Sequence, residues 1–129
     1  MAFSESLTWP IIASPPTVAP AQAGVYGYLR YSQMKQPCVY ILTNKRYGTL
    51  YIGVTGDLSR RIWEHKNDCA DGFTKKHRLH RLVYMEPHDT MEDAIVREKR
   101  LKKWNRAWKI RLIQSVNSEW TDLYDILNE

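Results

Sequence analysis

The chain has 129 residues, 43% of them hydrophobic, and a formal charge of +5. That length suits one domain with a single modest core, and no apolar run approaches the ~20 residues of a membrane span. Two cysteines, Cys38 in a predicted buried strand and Cys69 in a predicted loop, supply no disulfide framework, so reduced thiols and a cytoplasmic location are expected.

Residues 1–33 differ in character from the rest. Pro10, Pro15, Pro16 and Pro20, with Ala19, Ala21 and Ala23, break regular structure and cannot build a core. Met1 to Ile12 carries Glu5 and no Lys or Arg, unlike a signal peptide. The expected division is a disordered or spurious extension over 1–33 and one domain over 34–129. A flexible arm bearing Tyr26, Tyr28 and Tyr31 is the alternative.

Two strand-like runs follow, Cys38 to Leu42 and Leu50 to Val54, rich in β-branched and aromatic residues. Asn44-Lys45-Arg46-Tyr47-Gly48 joins them as a turn, so the pair reads as a β-hairpin with Tyr40 and Tyr51 on adjoining strands. Tyrosines in strands commonly do no more than fill a sheet face. Asp57 then makes a good N-cap, and Leu58 and Ile62 give one helical face. Arg61 and His65 are four apart and project from the same side of that helix. A planar guanidinium beside the hairpin suits a phosphate oxygen, whereas a solvated surface role fits His65 more readily than Arg61.

Asn67 to His80 reads as a loop, and Leu79 to Glu86 as a third strand ended by Pro87. Cys69, His77 and His80 make a poor zinc set, with irregular spacing and no fourth ligand. Thr90 with Asp93 opens a helix on which Met91, Ala94, Ile95 and Leu101 form a stripe. Glu98 falls inside that stripe. A desolvated carboxylate needs a cation, and an ordinary i, i+4 pair with Lys102 is the simpler account. A further helix from Ala107 to Val116 is expected to turn Trp108, Leu112 and Val116 inward, with a short helix after Ser118. The order ββαβαα favours an α+β fold, a small three-stranded, mainly antiparallel sheet flanked by helices. Charge is uneven: Arg60 to Arg111 holds fifteen Lys or Arg against eight Asp or Glu, a balance suited to a phosphate polymer, though charge runs are commonly solvated faces.

Four elements in order carry a family resemblance: Cys38-Val39-Tyr40, Tyr51-Ile52-Gly53, Arg61 and Glu98. The chain resembles the GIY-YIG endonuclease superfamily, and in particular its small standalone bacterial members, from Met34 to about Tyr124. Cys38 and Val39 replace glycine and isoleucine of the first motif, positions that concern packing more than chemistry.

That resemblance implies a metal-dependent DNA endonuclease. Tyr40 would position or deprotonate the attacking water, Tyr51 would hydrogen-bond the phosphate or nucleophile, and Arg61 would steady the phosphoryl oxygens. Glu98 would hold a single Mg²⁺ or Mn²⁺, with waters and the nucleic acid completing the shell. His65 is a candidate proton carrier, and Lys76 or His77 would stand beside the scissile phosphate. Gly53, Arg100, Lys103 and Arg106 are candidate substrate contacts, and Asn117 a candidate for ordering the metal's outer shell. A catalytically weak nucleic-acid-binding module of the same fold is the competing expectation.

Overall fold

The computed structural model describes residues 35–69 and 72–127, so the expectation for 1–33 lies outside the described residues. Strands β1 (Cys38–Thr43) and β2 (Leu50–Thr55) are followed by helices α1 (Leu58–Lys66) and α2 (Gly72–His77), strand β3 (Arg81–Pro87), and helices α3 (Met91–Lys103), α4 (Arg106–Val116) and α5 (Tyr124–Leu127). The sheet has the order β2-β1-β3 and is antiparallel throughout, as an α+β fold with a small sheet requires.

Every residue of β1 is buried because it is the central strand and helices cover both faces. Its alternating side chains divide the core in two. Cys38, Tyr40 and Leu42 pack with Leu58 and Ile62 of α1 and with Leu123 and Leu127 near the C-terminus. Val39 and Ile41 pack on the other face with Ala94 and Leu101 of α3, Leu112 and Ile113 of α4, and Trp120. Leu42 pairs with Tyr51 and Tyr40 with Gly53, which puts Tyr40 and Tyr51 on the α1 side of the sheet.

Local chemistry explains the element starts. Asp57 accepts from Arg60 N, Thr90 from Asp93 N, and Asn105 from Trp108 N, so each of the three longer helices begins on a side-chain cap. In the β1–β2 turn, Asn44 Oδ1 accepts from Thr49 N at 3.1 Å. A Cβ on Gly48 would overlap that same oxygen, which is why glycine stands there.

Two expectations need correction. The stretch read as loop contains α2, a six-residue helix too short to show periodicity. Helix α4 buries Leu112 and Ile113, while Trp108 is 38% and Val116 46% exposed. Apolar residues at 108, 110, 112, 113 and 116 define more than one stripe, and the sheet selects one of them.

Helix α3 is anchored to β3 by a buried ionic cluster. Arg97 donates to both oxygens of Glu86, at 2.9 and 3.1 Å, and Tyr84 donates to the same carboxylate at 2.7 Å. His88 Nε2 lies 2.8 Å from Glu86 Oε1. Burial alone would raise the Glu86 pKa, but the hydrogen bond from His88 and the charge and hydrogen bonds of Arg97 outweigh it and hold the group at about 2. This anchor fixes the rotation of the helix that carries Glu98.

Candidate active site

On the α1 face, Tyr40 meets three of the residues singled out from the sequence. Its hydroxyl lies 2.9 Å from His65 Nε2, and its ring centroid is 6.3 Å from that of Tyr51. The edge of Tyr51 in turn meets the imidazole at 5.6 Å. Arg61 hydrogen-bonds the Tyr40 phenol and donates to Glu64 Oε1 at 3.0 Å. Burial disfavours the charged guanidinium, yet the hydrogen bonds to Tyr40 and Glu64 prevail and keep its pKa above the ordinary arginine range. Arg61 is therefore a fixed cation, oriented from two sides.

Depth separates these groups. Tyr40 and His65 are each 1% exposed, so His65 is a buried, hydrogen-bonded group and not the solvated surface histidine its sequence position suggests. The Arg61 side chain is 32% exposed and Tyr51 is half-buried, so these two face solvent. Gly53 has a packing role. A Cβ there would overlap Cζ and Oη of Tyr40, so the glycine of the second motif makes room for the phenol that bonds His65. From α2, Phe73 stacks on Tyr51 at 6.1 Å and His77 packs on Phe73 at 4.6 Å. That ring ladder links His77 to the cluster, while Lys76 is simply exposed on the same helix.

Glu98 stands apart. It is buried, as its place in the apolar stripe predicts, and it also makes the expected i, i+4 pair, with Lys102 Nζ at 2.6 Å from Oε2. Among the described residues no hydrogen bond or ion pair joins it to the tyrosine cluster. Arg100 and Lys103 are exposed on α3 and open to solvent. Arg106 is drawn into structure instead: its Nη2 donates to the carbonyls of Tyr47 at 2.6 Å and Gly48 at 2.8 Å, clamping the β1–β2 turn. Asn117 is likewise committed. Its amide donates to Val83 O and Thr121 O and accepts from Thr121 N, which fixes the chain after α4.

A family model described as the GIY-YIG catalytic domain matches residues 36–111, more than half of the chain. The chain belongs to the GIY-YIG family. Its nuclease-type fold follows from that membership. Similar proteins include a UPF0213 protein of Staphylococcus saprophyticus, 38% identical over 80 residues that make up 62% of this chain and 96% of that protein. UPF0213 proteins of Staphylococcus epidermidis and Staphylococcus aureus are 36% identical over 67 residues, 52% of this chain and 82% of theirs. The relatives' name states no activity. No solved structure matches significantly.

In GIY-YIG terms the first motif departs at Cys38, whose thiol is pushed up to about 12 by burial and by the charge of Glu86. A thiol so protonated is an inert packing group. Among the described residues no group of three His, Cys, Asp or Glu is arranged to hold a metal ion. Glu98 offers one carboxylate, whose Oε2 is paired with Lys102 Nζ, so a hard divalent ion held there would displace that ammonium and draw most of its ligands from water and substrate.

Sequence reasoning missed Glu64, Phe73 and Thr74. Glu64 lies three residues after Arg61 on one helix, a signal that was available. Phe73 and Thr74 sit in the segment that reads as loop, where no pattern marks them.

Proposed function

We propose that this domain is a metal-dependent endonuclease that hydrolyses phosphodiester bonds in DNA. The observation that supports the reading best is the packed group of Tyr40, Tyr51, His65 and Arg61, on a GIY-YIG fold, with the cation held in place. Phosphodiester hydrolysis needs a positioned nucleophile and neutralisation of charge that gathers on the phosphoryl oxygens. Arg61 and Tyr51, the two solvent-facing groups, meet the phosphate and the nucleophile. Tyr40 works one layer deeper, holding Arg61 and bonded to Nε2 of His65, so that a proton the phenol takes up from the attacking water can be matched by its own proton leaving to the imidazole. His77, carried to the cluster by Phe73, is the better of the two α2 candidates for the side of the scissile phosphate. Arg100 and Lys103 bind flanking phosphates. Glu98 holds a Mg²⁺ or Mn²⁺ ion, which when bound would neutralise phosphoryl charge and assist the leaving oxygen.

One observation favours the binding-module alternative, namely that the Glu98 carboxylate is already paired with Lys102. The Glu98→Gln variant separates the two readings. It should abolish metal-stimulated cleavage while leaving DNA affinity equal or higher, because only a negative charge is removed. Arg61→Ala should lose about 10²–10³-fold in turnover, as for other groups aimed at developing charge. Cleavage by Glu98→Gln at the parent's rate and with the parent's metal requirement would overturn the metal assignment.

A further inference from the structure

Thr74 is a small polar residue on α2, yet it is 1% exposed and its Oγ1 lies 3.1 Å from Nδ1 of His65. The imidazole is therefore held at both nitrogens, by Tyr40 Oη at Nε2 and by Thr74 Oγ1 at Nδ1. A neutral histidine has one donor nitrogen and one acceptor nitrogen, so these two contacts are coupled. Arg61 has only donors to offer the phenol oxygen of Tyr40, so a phenol that gives its own proton to Nε2 keeps that oxygen as an acceptor for the cation. Nε2 is then the acceptor, and the ring proton belongs on Nδ1. There it requires an acceptor, because a buried N–H without one is costly.

A threonine hydroxyl can accept, whereas its neighbours Lys75 and Lys76 carry ammonium groups that cannot. We infer that Thr74 is a positioning residue that accepts from Nδ1–H and fixes His65 in the tautomer whose Nε2 takes the proton of Tyr40. The chain Arg61–Tyr40–His65–Thr74 then runs from the solvent-facing cation to a buried hydroxyl. The consequence for turnover rests on the nuclease reading, but the tautomer itself does not.

The test is long-range ¹H–¹⁵N spectroscopy of the full chain carrying ¹⁵N-labelled histidine, together with turnover of Thr74→Val and Thr74→Ser. In the parent, His65 should show a protonated Nδ1 and an unprotonated Nε2. Thr74→Val keeps the shape and removes the acceptor, so it should shift His65 toward the other tautomer and lower turnover about 10–100-fold, by analogy with the loss of outer partners of metal-ligating histidines. Thr74→Ser restores the oxygen and should retain the parent tautomer. A parent His65 protonated on Nε2 would overturn the inference, as would a Thr74→Val protein with unchanged tautomer and turnover. If Thr74→Val does not fold, the parent and Thr74→Ser spectra decide. If the parent cuts no DNA, the nuclease reading fails and the spectra still judge the role of Thr74.

Discussion

Tyr40 and Tyr51 carry the same functional group in opposite settings, and the difference predicts separable effects. Tyr40 is 1% exposed and serves Arg61 and His65 at once, while Tyr51 is half-buried and touches His65 by its ring edge. Tyr40→Phe removes a buried hydroxyl and should cost about 1–3 kcal/mol of stability, because the groups it bonded stay desolvated. Tyr51→Phe should cost much less. Both should slow cleavage, so urea melts run beside turnover assays distinguish the deep residue from the surface one. Equal stability losses would show that the Tyr40 bond to His65 carries no weight.

The Glu86 carboxylate makes a second prediction at the same scale. Its pKa falls from an ordinary 4.5 to about 2 in the fold. A depressed folded pKa means that the stabilisation is fully present above about 4.5 and is lost as pH falls toward 2. The shift corresponds to about 3 kcal/mol. The stability gap between the parent and Glu86→Gln, read from urea melts, should be widest near neutral pH and close by roughly 2–3 kcal/mol across that acid window. A gap that stays constant would mean that Arg97 and His88 do not hold the group ionised.

At the scale of elements, two neighbouring cations stand in different settings. Arg106 clamps the β1–β2 turn to the start of α4, whereas Lys103 ends α3 in the open. Arg106→Ala should lower stability by about 1 kcal/mol, a modest figure because the clamp is largely solvent-exposed. Lys103→Ala should leave stability unchanged and reduce the salt slope of DNA binding by about one contact. Melts paired with binding at several salt concentrations check both, and a reversed pattern would reassign the two residues.

The sequence signals divide along the same lines. The hairpin, the third strand and the helix caps were legible because each rests on local chemistry: alternation, Gly48, Asp57 and Thr90. Glu98 was legible as an exception inside an apolar stripe. Helix α2 was not, since six residues give less than two turns of pattern. The inward face of α4 and the commitments of Arg106 and Asn117 depend on partners far along the chain, Tyr47 and Val83, which no local window contains. The burial of His65 was not legible for the same reason: it involves Tyr40 and Thr74, contributed by two other elements.

For the whole molecule, a central strand buried on both faces divides the labour. One face packs α3 and α4 and anchors Glu86 with Arg97; the other packs α1 and gathers the tyrosines, His65 and Arg61. No helix among the described residues is long and apolar enough to cross a membrane, and the basic middle of the chain suits a phosphate polymer. The central claim is that this arrangement cuts DNA with the help of a divalent ion. The most direct measurement incubates the full chain with single-stranded, nicked, branched and duplex DNA, with Mg²⁺, with Mn²⁺ and with a chelator, and resolves the products on denaturing gels. The account predicts internal cuts in at least one substrate with either ion and none with the chelator; no cut in any substrate with either ion, by a folded protein that still binds DNA, would contradict it and leave a binding module on a nuclease fold.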